Sequence, residues 1–433
     1  MSHTKCFLRL PEELATKYKL SIYNIYLDET RGLVYNTVTQ AVSEFDDKVL
    51  CADDLLDLVE CGFIVPVEKD EKEALRDEYN HRNEFSDELH LIIALTLDCQ
   101  FRCVYCYEKH PCVYMNESIK SAVIDMVHSY AKAGKNISVV WYGGEPMLDY
   151  ESIKKLTHEF QRICSTYGVQ YTASMISNGY AFSEESIMEL DGLSIASVQI
   201  TVDGMKAIHE SRRPMINGEG SFECIVKNMM DIEHNTNTEV HLRINVDKDN
   251  IQSAYELVTY LKEIGLTEID VNLGMMKSFG CDHVCGNEAK NLFTMREFAD
   301  EFMKFKEHLS DNGFYHAVEK MMPEYKVNSC TMDAPNAYVI DPDGYVYKCI
   351  SKVGQKESSI GNIKEGFDEK AHLDVDAFES EMCEKCKYFP ICKGGCLMNN
   401  QHERKECNIW KFITERLLIS DIAIQQGNEN NEV

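Results

Sequence analysis

The middle of the chain alternates short apolar runs with longer segments in which apolar residues recur every three or four positions. The first run, residues 89–97, is almost continuously apolar, which is typical of a strand buried on both faces. Further strands are predicted at 137–142, 171–176, 196–202, 239–246 and 268–273, and helices at 116–133, 152–167, 184–190, 222–234, 253–264 and 293–309. Six strand–helix units in series predict an α/β fold with a parallel sheet, either open and doubly wound or curled into a barrel.

The two ends of the chain have a different pattern, so we predict three domains, at residues 1–85, 86–310 and 311–433. In the first, a hairpin is predicted at 21–35, a helix at 53–59, a closing strand at 61–66 and a charged helix or connector at 68–82. In the last, residues 326–410 lack periodicity and are rich in cysteine, glycine and turns. A region that cannot bury a large core needs metal ions or disulfides to hold it together.

Charge and hydropathy exclude some partners. The formal net charge is −28, which repels nucleic-acid phosphates and leaves solubility or attraction of a basic peptide as its role. No apolar run reaches the roughly 18–20 residues that span a bilayer. Residues 1–20 are charged and lack the apolar core of a signal peptide. We therefore expect a cytoplasmic protein that binds neither nucleic acid nor membrane.

Cysteine usage points to metal chemistry. Of eighteen cysteines, ten fall into two groups, and in a reducing cytosol grouped thiols are better explained as metal ligands than as disulfides. Thiolates are soft donors that suit iron–sulfur clusters and zinc. Most of the others are isolated, and a lone cysteine is usually a small buried hydrophobe.

The first group is Cys99, Cys103 and Cys106, with the spacing C-x3-C-x2-C directly after the first buried strand. Loops at the carboxyl ends of parallel strands carry active sites in α/β folds. Three thiolates on a [4Fe–4S] cube leave one iron open, which can chelate the amino and carboxylate groups of S-adenosylmethionine (SAM) and pass it an electron. The alternatives are three unrelated core cysteines or a zinc site.

This spacing resembles the signature of the radical SAM superfamily, and other motifs of that family follow in the expected order. The resemblance implies a partial (β/α)6 barrel, a [4Fe–4S] cluster and SAM as cofactors, and a 5′-deoxyadenosyl radical that abstracts hydrogen from substrate. It also implies SAM contacts from Tyr105 near the adenine, from the Gly143-Gly144-Glu145-Pro146 motif, from Ser177 and Asn178, from Thr201, and from Arg243 toward the SAM carboxylate. For Arg243 a structural ion pair is an equal alternative, and Arg212 and Arg213 are other cationic candidates.

The second group resembles the SPASM extension of radical SAM enzymes that modify peptides and proteins, which holds two auxiliary [4Fe–4S] clusters. By this resemblance the distal cluster takes Cys383, Cys386, Cys392 and Cys407, and the proximal cluster takes Cys330, Cys349 and Cys396. Some members supply a fourth proximal ligand just after the first cysteine, but residues 331–338 contain no cysteine. The proximal cluster is therefore expected to have an open iron or a ligand from elsewhere, with Cys281 and Cys285 as candidates. A zinc-ribbon-like site is the alternative for this region.

The domain order resembles maturases of ribosomally made peptides, in which a winged-helix-like N-terminal unit binds a leader peptide by adding a strand to a sheet. We therefore predict a precursor peptide as substrate, a flavodoxin or ferredoxin as electron donor, and a thioether, carbon–carbon or carbon–oxygen cross-link as product. A structural cap is the alternative role for residues 1–85. The rival activity is oxidation of cysteine or serine to formylglycine, as in sulfatase-maturing enzymes, whose aspartate after the second extension cysteine is Ile350 here. A non-catalytic iron–sulfur or zinc-stapled binding protein is a rival of another class, and the catalytic base is not assigned.

Overall fold

A computed structural model of the chain describes residues 8–45, 55–277, 291–371, 376–397 and 407–429. Its strands are β1 Tyr18–Leu20, β2 Asn24–Asp28, β3 Leu33–Asn36, β4 Val42–Glu44, β5 Ile64–Pro66, β6 Glu88–Ala94, β7 Asn136–Tyr142, β8 Tyr171–Ser177, β9 Ile195–Thr201, β10 Glu239–Val246, β11 Asp270–Met275, β12 Ala337–Ile340, β13 Tyr345–Tyr347, β14 Gly361–Asn362 and β15 Gly366–Phe367. Its helices are α1 Glu12–Ala15, α2 Leu55–Glu60, α3 Glu71–Glu84, α4 Glu117–Lys132, α5 Tyr150–Tyr167, α6 Glu184–Glu189, α7 Lys206–Arg212, α8 Phe222–Asn235, α9 Ile251–Glu263, α10 Met295–Asp311, α11 Tyr315–Glu319, α12 Phe389–Cys392 and α13 Trp410–Glu429.

The six predicted parallel strands form one sheet in which β6 to β11 lie side by side in chain order. A doubly wound sheet reverses its strand order at a switch point, whereas an order that never reverses places every right-handed crossover helix on the same face. Leu89, Leu91 and Ile93 pack with the helices in the main core, and Ile92 and Ala94 face the opposite side. The α/β fold and its helices on one face therefore match the predicted partial barrel.

The helix ends follow local capping chemistry. The Asn116 side chain accepts hydrogen bonds from the backbone N–H groups of Ser118 and Ile119, which confirms it as the N-cap of α4. Gly168 ends α5 in the left-handed conformation with φ of 69°, which a side chain would disfavour. These ends set where the chain turns toward the next strand.

The sheet continues past β6 into the cysteine-rich segment. Strand β12 pairs in parallel with β6, and β13, β14 and β15 follow as antiparallel neighbours. The sequence pattern did not predict these strands, since segments of two to four residues are too short to show a period. As a result, strands β12 to β15 belong to the same sheet as the parallel strands β6 to β11.

The N-terminal residues form two small sheets. The predicted hairpin is confirmed as β2 and β3, to which β4 adds, and the predicted closing strand is β5, which pairs with β1. Ile25 and Tyr35 of the hairpin pack on Tyr388 and Leu418 of the cysteine-rich segment. The Thr37 hydroxyl also donates to the carbonyl oxygen of Lys387 at 2.7 Å. The two ends of the chain are therefore joined by an apolar interface.

None of the helices in the described part of the chain combines the length and the apolar character that a membrane span requires.

Candidate functional site

The first cysteine loop leaves the carboxyl end of β6 and is fastened to the segment after α7. Arg102 N donates to Pro214 O at 2.8 Å, and Val104 N donates to Arg212 O at 2.9 Å. Around the thiol of Cys99, Phe101 N lies 3.4 Å from Sγ and Asn178 Nδ2 lies 3.8 Å from it. The loop is thus held in place by backbone bonds, with N–H donors directed at a buried sulfur.

The three thiols of this loop lie close enough to influence one another. Burial, together with the charge of Glu145, raises the pKa of Cys99 to about 12. Burial raises the pKa of Cys106 to about 12 as well, with contributions from Glu108 and from the thiolates of Cys103 and Cys99. Metal ions bind the thiolate form of cysteine. Because the raised pKa values disfavour thiolates, a positively charged metal centre is needed to stabilise them in this site.

The donor set fits a three-thiolate iron–sulfur cluster. Among the described residues, no group of three histidine, cysteine or acidic side chains is close enough to hold one metal ion. In a cube each cysteine binds a different iron, so its ligands stand farther apart than the ligands of a single ion. Hydrogen bonds to the sulfurs, as Cys99 accepts here, are a usual part of such sites.

The Gly143–Pro146 segment follows β7 and lies directly against the cysteine loop. Gly144 N donates to Thr96 O at 3.0 Å, and Glu145 N donates to Asp98 O at 2.9 Å. Gly143 has a φ of 133°. A Cβ on Gly144 would lie 2.2 Å from Asp98 O. This close approach of two backbones requires glycine.

Glu145 is fully buried, and both of its carboxylate oxygens are used inside the protein. Oε1 accepts hydrogen bonds from Ser177 Oγ at 2.8 Å and Met147 N at 3.0 Å, and Oε2 accepts one from Asn178 N at 2.7 Å. The sequence left open whether the Glu145 side chain or the neighbouring backbone would accept from the SAM ammonium. These three bonds make Glu145 the link between the loops after β7 and β8, and the contact with the SAM ammonium stays a prediction.

The remaining predicted SAM contacts lie at the same edge of the sheet. Ser177 and Asn178 follow β8 and are buried, and Thr201 ends β9. Thr201 is the register partner of Arg243 on β10. The Arg243 guanidinium donates to the amide oxygens of Asn245 at 3.1 Å and Asn272 at 2.9 Å. These amides take the place of the acidic partner that the ion-pair alternative required.

Arg213 and Asp203 are more central than the sequence indicated. Tyr105 Oη donates to Asp203 Oδ2 at 2.5 Å and accepts from Arg213 Nη1 at 2.9 Å. Asp203 is fully buried, and Asn245 N donates to its Oδ1 at 3.1 Å. The signal available in the sequence is an aspartate two residues after Thr201, just past the end of a predicted strand.

A second buried acid, Glu108, was also missed. Tyr142 Oη donates to Glu108 Oε1, and Tyr107 Oη lies 2.5 Å from Tyr142 Oη. Burial raises the pKa of Glu108 to about 7. Its Oε2 is buried without a hydrogen-bond partner among the described residues. The sequence could have indicated Glu108 through its position, because it lies two residues after Cys106 in the loop predicted to carry the site.

His209 is a buried histidine that supports the end of β9. Its Nδ1 lies 3.4 Å from Asp203 N, and its Nε2 lies 3.2 Å from Ser221 Oγ. Burial, followed by the charge of Arg213, lowers the pKa of His209 to about 3. The imidazole therefore stays neutral in the folded protein at pH values where it is charged in the unfolded chain.

This shift predicts a pH dependence of stability. Below about pH 6.5 the unfolded chain binds a proton at His209 that the folded protein does not. Each unit by which the pH decreases below that value therefore lowers the free energy of unfolding by up to about 1.4 kcal/mol. His209→Gln removes this contribution. We expect the stability difference between wild type and variant, measured by urea unfolding, to shrink from about pH 7 to about pH 5. A constant difference across that range would contradict the assignment.

The cysteines of the second group influence one another in two places. Burial raises the pKa of Cys392 to about 11, together with the charges of Cys386, Cys383 and Cys407. Burial likewise raises the pKa of Cys330 to about 11, together with the charges of Asp333, Cys349 and Cys396. Four thiols therefore influence one another in one place and three in another.

Two features of this region bear on the proximal set. Ile350 follows Cys349 at the start of a short 3-10 helix, Ile350–Lys352. The charge of Cys349 also contributes, after burial and other charges, to raising the pKa of Tyr107, which places Cys349 near the first cysteine loop. Cys281 and Cys285, the candidates for a further proximal ligand, lie outside the described residues.

Comparison with known proteins identifies a family match and several related enzymes. Residues 93–235 match the model of the Radical SAM superfamily, which confirms the predicted radical SAM domain. The cysteine-type anaerobic sulfatase-maturating enzyme of Clostridium perfringens (strain 13 / Type A) is 25% identical over 338 residues, covering 71% of this chain and 88% of that enzyme. The serine-type anaerobic sulfatase-maturating enzyme of Klebsiella aerogenes is 21% identical over 318 residues, covering 69% of this chain and 76% of that enzyme.

Two solved structures share the fold. Native anSMEcpe with bound AdoMet has a TM-score of 0.61 at 19% identity and covers 78% of this chain and 100% of its own. Streptococcus suis SuiB bound to precursor peptide SuiA has a TM-score of 0.52 at 13% identity and covers 90% of this chain and 98% of its own. At these identities the likeness shows the fold.

Proposed function

We propose that this radical SAM enzyme uses a 5′-deoxyadenosyl radical to install a cross-link, either a thioether or a carbon–carbon or carbon–oxygen bond, in a ribosomally made precursor peptide. The observation that carries the proposal is the grouping of the seven C-terminal cysteines into a set of four and a set of three. This grouping is what the SPASM extension of peptide-modifying enzymes would require, and it accompanies a three-cysteine loop on a radical SAM domain.

Different residues of the site would bind the cluster and SAM. Cys99, Cys103 and Cys106 would hold the [4Fe–4S] cluster, which when bound supplies the electron that splits SAM. The Gly143–Pro146 segment would accept hydrogen bonds from the SAM ammonium through its backbone. The remaining SAM contacts would come from Ser177, Asn178, Thr201 and Tyr105. A site closed by these buried groups would confine the carbon radical, so that it abstracts hydrogen from a positioned peptide rather than from a neighbouring C–H or S–H group.

The C-terminal thiols would hold two further [4Fe–4S] clusters. The four-thiol set, which includes Cys383 and Cys407, supplies every ligand that a cube needs. The three-thiol set, which includes Cys330 and Cys349, would leave one iron for a substrate sulfur or for a ligand outside the described residues. Iron and sulfide content near three cubes per chain after anaerobic reconstitution tests this assignment, and tightly bound zinc alone would defeat it.

One observation favours a peptide cross-linker over the formylglycine-forming alternative, which the sulfatase-maturating relatives keep as the second candidate. Ile350 is apolar at the position where the sulfatase-maturing type has a catalytic aspartate, so it cannot act as a base. The two solved structures do not separate the activities, because SuiB covers more of this chain, 90% against 78%, while anSMEcpe has the higher TM-score, 0.61 against 0.52.

Mass spectrometry separates these activities. The full-length enzyme, reconstituted anaerobically and reduced with dithionite or with a flavodoxin or ferredoxin, is incubated with SAM and a candidate precursor peptide. A cross-link removes two hydrogens from the peptide, whereas formylglycine formation from cysteine replaces the sulfur by oxygen. Formation from serine also removes two hydrogens, but it leaves an aldehyde that hydroxylamine converts to an oxime, and a cross-linked peptide does not react in this way. Full SAM turnover with an unchanged peptide would contradict the proposed substrate, and absence of 5′-deoxyadenosine would point to a non-catalytic iron–sulfur or zinc-stapled protein.

The N-terminal sheet offers an edge for the leader of that peptide. Within the described residues, β4 pairs with β3 alone. Asn36 N donates to Ala41 O and Phe45 N donates to Gly32 O, so Val42 and Glu44 lie between the bonded pairs and direct their backbone groups outward. An extended peptide can add to such an edge through main-chain hydrogen bonds.

Val42→Pro is expected to weaken leader binding at least about tenfold, because it removes an outward N–H without removing a bond to β3. Fluorescence anisotropy with a labelled leader peptide measures the change. Val42→Ala keeps the N–H and is the matched control, expected to bind within about twofold of wild type. Equal loss in both variants would place recognition in the side chain, and equal binding in both would leave residues 1–85 as a structural cap.

A further inference from the structure

Arg213 is a buried cation beside the first cysteine loop. It is 7% exposed, and its Cζ lies 5.7 Å from the ring centroid of Phe101, whose N–H donates to Cys99 Sγ. Its Nη1 donates to Tyr105 Oη at 2.9 Å. Its Nε is buried without a hydrogen-bond partner among the described residues. The charge is therefore held against the loop by one hydrogen bond and one ring.

Tyr105 connects Arg213 to an opposite charge, Asp203. The phenol accepts from Arg213 and donates to Asp203 Oδ2, so it lies between the two charges. Asp203 is fully buried, and Arg212 approaches it with Nε at 3.7 Å from Oδ2. Within the described residues no direct ion pair joins Arg213 to Asp203, so each charge acts on the loop from a fixed and separate position.

Both charges influence the thiols. After burial, which raises the pKa of Cys103, the charge of Arg213 lowers that pKa and the charge of Asp203 raises it. Arg213 also lowers the pKa of Cys99, after larger contributions from burial and Glu145. In a buried site with little water, such effects are weakly screened.

We infer that Arg213 and Asp203 act in opposite directions on the reduction potential of the cluster that Cys99, Cys103 and Cys106 would hold, with Tyr105 fixing their separation. This inference rests on the proposed cluster site. One-electron reduction adds one negative charge to the cube and its thiolates. A nearby cation stabilises that reduced form and raises the potential, and a nearby carboxylate lowers it. Both are positioning residues, since they act through the charge they place beside the loop.

The test is a reduction-potential measurement on full-length enzyme after anaerobic reconstitution. Wild type, Arg213→Gln and Asp203→Asn are titrated with dithionite in the presence of mediator dyes and followed by electron paramagnetic resonance. The signal of the first cluster is identified as the one that changes on addition of SAM. We expect Arg213→Gln to shift its potential to more negative values and Asp203→Asn to shift it to less negative values.

Opposite shifts distinguish this role from a structural one, because general loosening of the loop would move both variants the same way or lose the cluster. Lys306→Gln is the matched control, since Lys306 is a buried cation on α10 whose Nζ donates to Asp421 Oδ1 of α13 at 2.9 Å, and it is expected to keep the wild-type potential. If Arg213→Gln loses the cluster, Asp203→Asn carries the test, since it removes a charge at constant size. Unchanged or same-direction shifts with the cluster retained overturn the inference, whereas a wild type without a SAM-responsive cluster overturns the proposed function instead.

Discussion

Replacing Cys99 with alanine is expected to abolish 5′-deoxyadenosine formation and to lower the iron content by about a third, the share of one cube in three. Cys99 is one of three thiols in the loop after β6, and its sulfur accepts hydrogen bonds from Phe101 N and Asn178 Nδ2. Two remaining ligands would not hold the cube, and SAM would lose the iron that binds it together with the other three. Liquid chromatography of the nucleoside product and iron analysis measure the two effects.

Cys112→Ala is the matched control for this experiment. Cys112 lies six residues after Cys106 on the same connection between β6 and α4, and it is exposed. Its loss should leave both the iron content and 5′-deoxyadenosine formation at the wild-type level. Equal loss in both variants would show that the connection tolerates no substitution, and full activity of Cys99→Ala would remove the basis of the proposed cluster site.

Gly144→Ala is expected to destabilise the protein by about 3 kcal/mol and to displace the cysteine loop, with loss of cluster binding. The added Cβ would lie 2.2 Å from Asp98 O and 2.6 Å from Leu97 O. Both contacts are to backbone atoms, which cannot rotate away as a side chain can. The segment after β7 and the loop after β6 must then separate, which breaks the bonds from Gly144 and Glu145 to Thr96 and Asp98.

Gly192→Ala provides the comparison, because the nearest atom to its added Cβ is Glu189 O at 3.5 Å, an ordinary contact. We expect its stability to change by less than about 1 kcal/mol and its cluster content to stay at the wild-type level. Urea unfolding of the two apo variants measures stability, and absorbance of the reconstituted proteins measures cluster content. If Gly144→Ala matched Gly192→Ala in both, close backbone packing would not explain the Gly-Gly sequence.

The sequence predicted the parallel strands well because β6 is a nearly continuous apolar run and the next four strands bury alternate residues along seven or eight positions. Residues 239–246 coincide with β10, and residues 137–142 lie within β7. The site loops follow from the same pattern, since Cys99, Gly143, Ser177 and Thr201 all come at or just after a strand end. Parallel strands place these ends on one edge of the sheet, so their meeting was predictable without coordinates.

Other features depend on residues that are far apart in the chain. Strand β12 pairs with β6, which lies 247 residues earlier in the chain, and segments so short show no local pattern that predicts the pairing. Likewise, the packing of Ile25 and Tyr35 on Tyr388 and Leu418 joins opposite ends of the sequence. The use of both Glu145 oxygens by the loop after β8 is of the same kind.

The amino-acid sequence by itself determined the succession of strands and helices along the chain and the loops that carry the candidate ligands, because apolar periodicity and residue spacing are local properties of the chain. Only the tertiary structure decided that Arg213 rather than Arg243 stands beside the thiols, that Tyr105 separates it from Asp203, and that the N-terminal sheet packs on the cysteine-rich segment. Those outcomes depend on which side chains, distant in the sequence, pack together in the interior. Burial excludes water there, which strengthens the interactions between their charges and hydrogen-bonding groups.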